Sequence, residues 1–144
     1  MRPYRVFIDT NILLSGLAFG GNETRLLRLA GDGRVRLVLS AAVLHEIRDV
    51  VNRKFPELAG DLDEFLERVS WESVDYPPPC AVESALSSVR DPDDAPILAS
   101  ILLAKPDFAL TGDKDLLTDR IKGIVPMCRC AEFLRDHPEL TTDN

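Results

Sequence analysis

Strand-like and helix-like runs alternate along this chain of 144 residues, and that alternation limits the fold more than any other feature. Residues 4–8, 35–39 and 107–111 are short apolar runs bounded by turn formers, which read as buried strands. Residues 71–74 read as a further short strand and 124–127 as the last one. Between them, 12–18, 23–30, 41–54, 58–69, 93–104 and 131–135 carry helical spacing, and 82–89 a weaker version of it. Such an order predicts an α/β class: a three-layer α/β/α sandwich with a mostly parallel central sheet.

Lone carboxylates stand where these runs begin or end. Asp9 follows the first strand and, with Thr10 and Asn11, supplies turn and N-cap residues. Ser40 is placed to cap the helix of residues 41–54, in which Val43, Leu44, Ile47, Val50 and Val51 share one face. Glu46 falls on the shoulder of that stripe. Asp91-Pro92-Asp93-Asp94-Ala95-Pro96 is a helix start, because Pro96 lacks the N–H that the first turn cannot use. Asp113 lies just past the strand of 107–111, with Lys114 and Asp115 after it. The strand-to-helix junctions of a parallel sheet open at one edge, so acids far apart in sequence can meet in a single crevice. Gathered carboxylates repel and raise one another's pKa unless a cation sits among them. Mg2+ or Mn2+ suits such a site, since hard cations take oxygen ligands.

Composition bounds the remaining choices. The length suits one domain, expected over residues 1–136, with a polar tail at 137–144 expected to fray. A net charge of −7 argues against a protein that grips nucleic acid by bulk positive charge. It does not exclude a nuclease whose bound cations meet the phosphate. Arg25, Arg28, Arg34, Arg36, Arg48, Arg53 and Lys54 crowd the first part of the chain; such a cluster could serve a partner or RNA, but a solvated face is the simpler reading of most of them. The apolar stretches are too short to span a bilayer, and the start lacks the apolar core of a signal peptide. Cys80, Cys128 and Cys130 have no metal-finger spacing, and a reduced, cytoplasmic setting is expected for them.

Each acid has an ordinary explanation when taken alone. Asp9 could cap its helix, Asp91, Asp93 and Asp94 could form an acidic helix start, Glu46 could be a surface residue, and Asp113 and Asp115 could serve a turn. Asn11 and Thr111 suit turns as well. His45 and His137 form no acid–base pair and are expected to face solvent. The joint placement of the four acids outweighs these separate readings.

Four motifs occur in order: Asp9-Thr10-Asn11, Ser40 through Glu46, Asp93-Asp94-Ala95-Pro96-Ile97-Leu98-Ala99, and Thr111-Gly112-Asp113-Lys114-Asp115-Leu116-Leu117. With these motifs the chain resembles the PIN-domain family, particularly the small VapC-like toxins of toxin–antitoxin modules, over about residues 4–135. The resemblance implies an Mg2+- or Mn2+-dependent endoribonuclease that cuts RNA. It implies that Asp9, Glu46, Asp94 and Asp113 are the acidic quartet that binds metal and catalyses, with Asp115 as a further outer ligand and Asn11 and Thr111 as polar neighbours. It also implies a small antitoxin protein that covers the cleft, and a homodimer.

Two rival readings differ in testable ways. A haloacid-dehalogenase-type phosphatase also places an Asp after its first strand, but needs a second Asp two positions on. Here that position is Asn11, which cannot protonate a leaving group at neutral pH. A catalytically idle RNA- or protein-binding module would share the fold without the activity.

Overall fold

The computed structural model describes residues 2–141. Five strands, β1 (Tyr4–Ile8), β2 (Val35–Ser40), β3 (Trp71–Val74), β4 (Phe108–Leu110) and β5 (Met127–Cys128), form one sheet in the order β3-β2-β1-β4-β5. Every pairing is parallel. Helices α1 (Thr10–Ala18), α2 (Asn22–Gly31), α3 (Ala41–Lys54), α4 (Ala59–Arg68), α5 (Pro79–Ala85), α6 (Ala95–Ala104), α7 (Asp119–Lys122) and α8 (Cys130–Asp136) cover the sheet. The architecture is the expected three-layer α/β/α sandwich.

The sheet is buried on both faces, so its central strands are apolar at successive positions instead of alternating with polar ones. On one face Val6, Ile8, Leu37, Leu39 and Leu110 pack with Leu13, Leu26, Ile47, Leu62 and Phe133 from the helices. On the other, Phe7, Val38, Ala109 and Met127 pack with Ala85, Leu98, Ile101 and Ile121. Burying a side chain of this size contributes about 1.5–3 kcal/mol, so neither layer is dispensable.

Local chemistry sets the element ends. Ser40 Oγ accepts from the Val43 N–H at 3.1 Å and starts α3, while Pro79 opens α5 at a position needing no N–H. Helices α1 and α2 meet where Gly16 has no Cβ; one built there would lie 2.5 Å from Leu27 Cδ1 and 3.1 Å from the Glu23 carbonyl. The Thr24 hydroxyl donates to the Gly16 carbonyl at 2.8 Å and holds this crossing. Arg5 grips Glu72 on β3 with two bonds of 2.7 and 2.9 Å, and Arg36 reaches the same carboxylate at 3.3 Å. The remaining front arginines include Arg48 and Arg53, which pair with Asp63 and Asp49 on the surface. The cysteines are free, Cys80 exposed and Cys130 buried.

The structure departs from the sequence expectations in several places, among them the expected helix of 82–89, which runs instead over Pro79–Ala85 with a 3-10 turn at Leu86–Ser88. The last strand is Met127–Cys128, not 124–127, because the amides of Ile124 and Val125 are both spent on the Ile121 carbonyl at the end of α7. That short helix, capped by the Thr118 hydroxyl, carries no long apolar periodicity and was not expected. Finally, His137 does not face solvent. Its ring lies 4.7–5.1 Å from those of Phe133, Phe108 and Tyr4, and Nδ1 meets the Phe133 carbonyl at 2.8 Å. Residues Pro138–Thr141 continue as a 3-10 turn, with the Arg34 guanidinium donating to the Leu140 carbonyl at 2.8 Å. The rest of the tail expected to fray, 142–144, lies outside the described residues.

Candidate metal centre

Strand order places the crevice. After β1 the chain moves toward β2 on one side, whereas β4 lies on the other, so the loops leaving β1 and β4 diverge. Their divergence leaves an opening beyond the carboxyl ends of these two strands, where ligands bind in open α/β sheets. Asp9 follows β1 and Asp113 follows β4, and the Asp9 N–H donates to the Leu110 carbonyl at 3.3 Å across the gap.

A cleft of about 300 Å³ occupies this position, lined by Asp9, Thr10, Asn11, Glu46, Asp93, Asp94, Ile97, Asp113 and Leu116. All four acids singled out from the sequence face it. They arrive from four elements: the end of β1, the second turn of α3, the head of α6 and the loop after β4. Glu46 is exposed, while Asp9 and Asp94 are buried.

Asp9 is fixed twice. One oxygen accepts from the Ile12 N–H at 3.0 Å and caps α1; the other accepts the Thr111 hydroxyl. Thr111 Oγ1 in turn accepts from the Asp113 N–H at 3.0 Å, and Asp113 Oδ1 accepts from the Asp115 N–H at 2.9 Å. The capping and ligation readings of Asp9 are therefore compatible, because the cap is what orients the carboxylate. Thr111 is a buried relay between the two loops, which explains a threonine at that strand end.

Among the described residues, no lysine or arginine makes an ion pair with these four acids. Burial raises the Asp9 pKa, opposed by the Thr111 and Ile12 bonds and reinforced by Asp113 and Glu46. Asp94 is pushed up to about 6, first by burial and then by Asp113, Asp91, Asp115 and Asp93. Among the described residues, Asp94 Oδ2 and Thr10 Oγ1 are the buried side-chain oxygens with no hydrogen-bond partner. A buried carboxylate oxygen without a donor is costly unless a cation or water meets it. An all-oxygen, anionic donor set with such an orphan fits a hard divalent ion.

Three lining or neighbouring residues were not singled out as site residues from the sequence. Asp93 and Thr10 face the cleft, and Asp91 offers a carboxylate oxygen close to those of Asp94 and Asp115. The Asp91-Pro92-Asp93-Asp94 spacing carried the signal for Asp91: an Asp two before a turn amide folds the carboxylate back, and here Asp91 Oδ1 accepts from the Asp93 N–H at 3.0 Å. Asp115, expected as an outer ligand, does not line the cleft itself and lies in this neighbouring group.

Comparison with known proteins agrees with this architecture. Residues 5–115 match the PIN domain as a family. The crystal structure of VapBC2 from Rickettsia felis bound to a DNA fragment from their promoter contains a similar fold, with a TM-score of 0.66 and 18% identity over 87% of this chain and 98% of that one. No curated protein matches. Among the described residues, no helix is long and apolar enough to cross a membrane.

Proposed function

The chain belongs to the PIN-domain family, and from that footing we propose that it is a metal-dependent endoribonuclease, the toxin of a toxin–antitoxin pair, hydrolysing RNA phosphodiester bonds at the cleft of Asp9, Glu46, Asp94 and Asp113. The observation that carries the proposal is the convergence of these acids from four elements on one cleft, where a buried Asp94 oxygen lacks a partner. Mg2+ or Mn2+ would be held by Asp9, Glu46, Asp94 and Asp113, with Asp115 outside them. When bound, it supplies charge neutralisation for the phosphate and activation of the attacking water.

The chain's own groups divide the remaining work. Asp9, anchored by Ile12 and Thr111, cannot swing, so its carboxylate is oriented before substrate arrives. The Thr111–Asp113 bond sets the second loop against the first. Glu46, the exposed member of the metal-holding set, would also orient the attacking water. Asn11, exposed at the rim, offers an amide that can donate to a phosphate oxygen. Ile97 and Leu116 form apolar walls that limit water around the acids.

The partner reading rests on the same family membership and on the neighbouring fold, which is described as part of a VapBC2 assembly. A small antitoxin protein would bind over the acidic cleft in the cytoplasm, and the toxin would act as a homodimer.

Cleavage of a fluorescent RNA oligomer by purified protein tests the proposal. Activity should require Mg2+ or Mn2+, vanish with EDTA, and fall about 100-fold or more in Asp9→Asn and Asp94→Asn. Equal degradation by wild type and both variants would refute the assignment and leave an idle binding module on the same fold.

A further inference from the structure

A chain of net charge −7 repels RNA over most of its surface, so a strand is drawn in only where cations stand unopposed. Around the cleft the cations are unevenly neutralised. On the β2 side, Arg48 follows Glu46 by two residues and is paired with Asp63 at 3.2 Å. In the same layer Arg53 pairs with Asp49 and Arg68 with Glu64. On the β4 side, Arg90, Lys114 and Arg129 are exposed, and among the described residues none of the three makes an ion pair.

Each of these three is tied in sequence to a residue at the cleft edge. Arg90 immediately precedes Asp91, and Lys114 stands between Asp113 and Asp115. A carboxylate oxygen of Asp91 and one of Asp115 lie within 4.8 Å of each other, so the turn before α6 and the turn after β4 adjoin. Arg129 follows β5, where the Cys128 carbonyl accepts from the Thr111 N–H at 3.1 Å. Thr111 is the residue whose hydroxyl holds Asp9. Arg129 therefore leaves the same sheet edge as Asp113, one strand step of about 4.8 Å beyond β4.

We propose that Arg90, Lys114 and Arg129 form a one-sided path for single-stranded RNA, along which they contact the backbone phosphates next to the one at the cleft. The acids serve one phosphate, and the three cations hold its neighbours on the β4 side. Contacts of this kind fix the register of the strand without reading its bases. The path rests on the ribonuclease reading for what happens at the cleft, but the strand binding it describes is measured separately from cleavage.

Anisotropy of a fluorescein-labelled RNA single strand, titrated in Mg2+ over a series of NaCl concentrations, tests the path. The protein carries Asp94→Asn throughout, which keeps the RNA whole. Arg90→Gln, Lys114→Gln and Arg129→Gln should each weaken binding roughly three- to tenfold and lower the log–log salt slope by about 0.7. Lys114→Arg should keep both. Lys54 is also exposed and without an ion pair, but it ends α3, about 20 Å along that helix from its start, so Lys54→Gln should change neither. With Asp94 restored, the three glutamine variants should raise KM and leave kcat unchanged. Unaltered affinity and slope in all three, or an equal loss in Lys54→Gln, would overturn the path even where RNA is cleaved. Binding that depends on the three cations, with no cleavage by wild type, would instead overturn the ribonuclease reading and leave the path standing.

Discussion

Asp94 is the residue on which the electrostatics of the cleft turn. Its pKa rises from 3.8 to about 6, chiefly through burial, so its charged form is disfavoured by folding. A group with a raised folded pKa contributes stability that is fully present below the unfolded value and is lost as pH rises through the folded one. In EDTA, Asp94→Asn should therefore melt higher than wild type at pH 7–8, with the difference shrinking as pH falls below about 6 and closing near 4. A constant difference across that range, measured by thermal melts, would remove the repulsion argument. Glu72 acts in the opposite sense. Its bond from Arg5 lowers its pKa, giving stability present above about 4.5 and lost in acid, which is why the comparison uses the difference between two proteins. Metal should reverse the sign at neutral pH: added Mn2+ is expected to raise the wild-type melting temperature and to affect Asp94→Asn less.

At the level of elements, the close crossing of α1 and α2 decides how Asp9 is held. Helix α1 begins on the Asp9 cap and is pressed against α2 at Gly16, where Leu27 and the Glu23 carbonyl leave no room for a side chain. Gly16→Ala should cost about 1–3 kcal/mol by overpacking, despite the better helix propensity of alanine. Chemical denaturation would measure this, and a stabilised variant would mean that α2 yields easily. A further readout is local: a shifted α1 should lower Mn2+ affinity, since its first turn carries the cap. The short elements follow a different logic. Residues 119–122 and 127–128 have too few side chains for a periodic signal, and their ends are set by which carbonyl each amide finds.

Across the whole molecule, one parallel sheet divides two cores, and both must form for the two faces of β1 and β2 to be dry together. Such interdependence predicts a single cooperative transition. Trp71, on the edge strand β3 with its indole donating to the Leu66 carbonyl at 3.0 Å, reports one side, and far-UV circular dichroism reports all helices. The two urea curves should coincide; an earlier fluorescence transition would show β3 and α4 detaching on their own. Much of this architecture was legible in the linear chain. Apolar runs and turn residues defined β1, β2, β3 and the long helices because their signals are local, and the capping residues Asp9 and Ser40 sat where the structure uses them. Lone acids at successive junctions were visible for the same reason. The packing of His137 among Tyr4, Phe108 and Phe133 was not, since those rings come from distant segments. Nor could the sequence say that Asp91 and Asp115 approach each other, or that Thr111 spans to Asp9. Local chemistry determined which residues end each strand; strand order alone decided which of those ends face one another, because sheet neighbours are fixed by long-range packing that no single segment encodes.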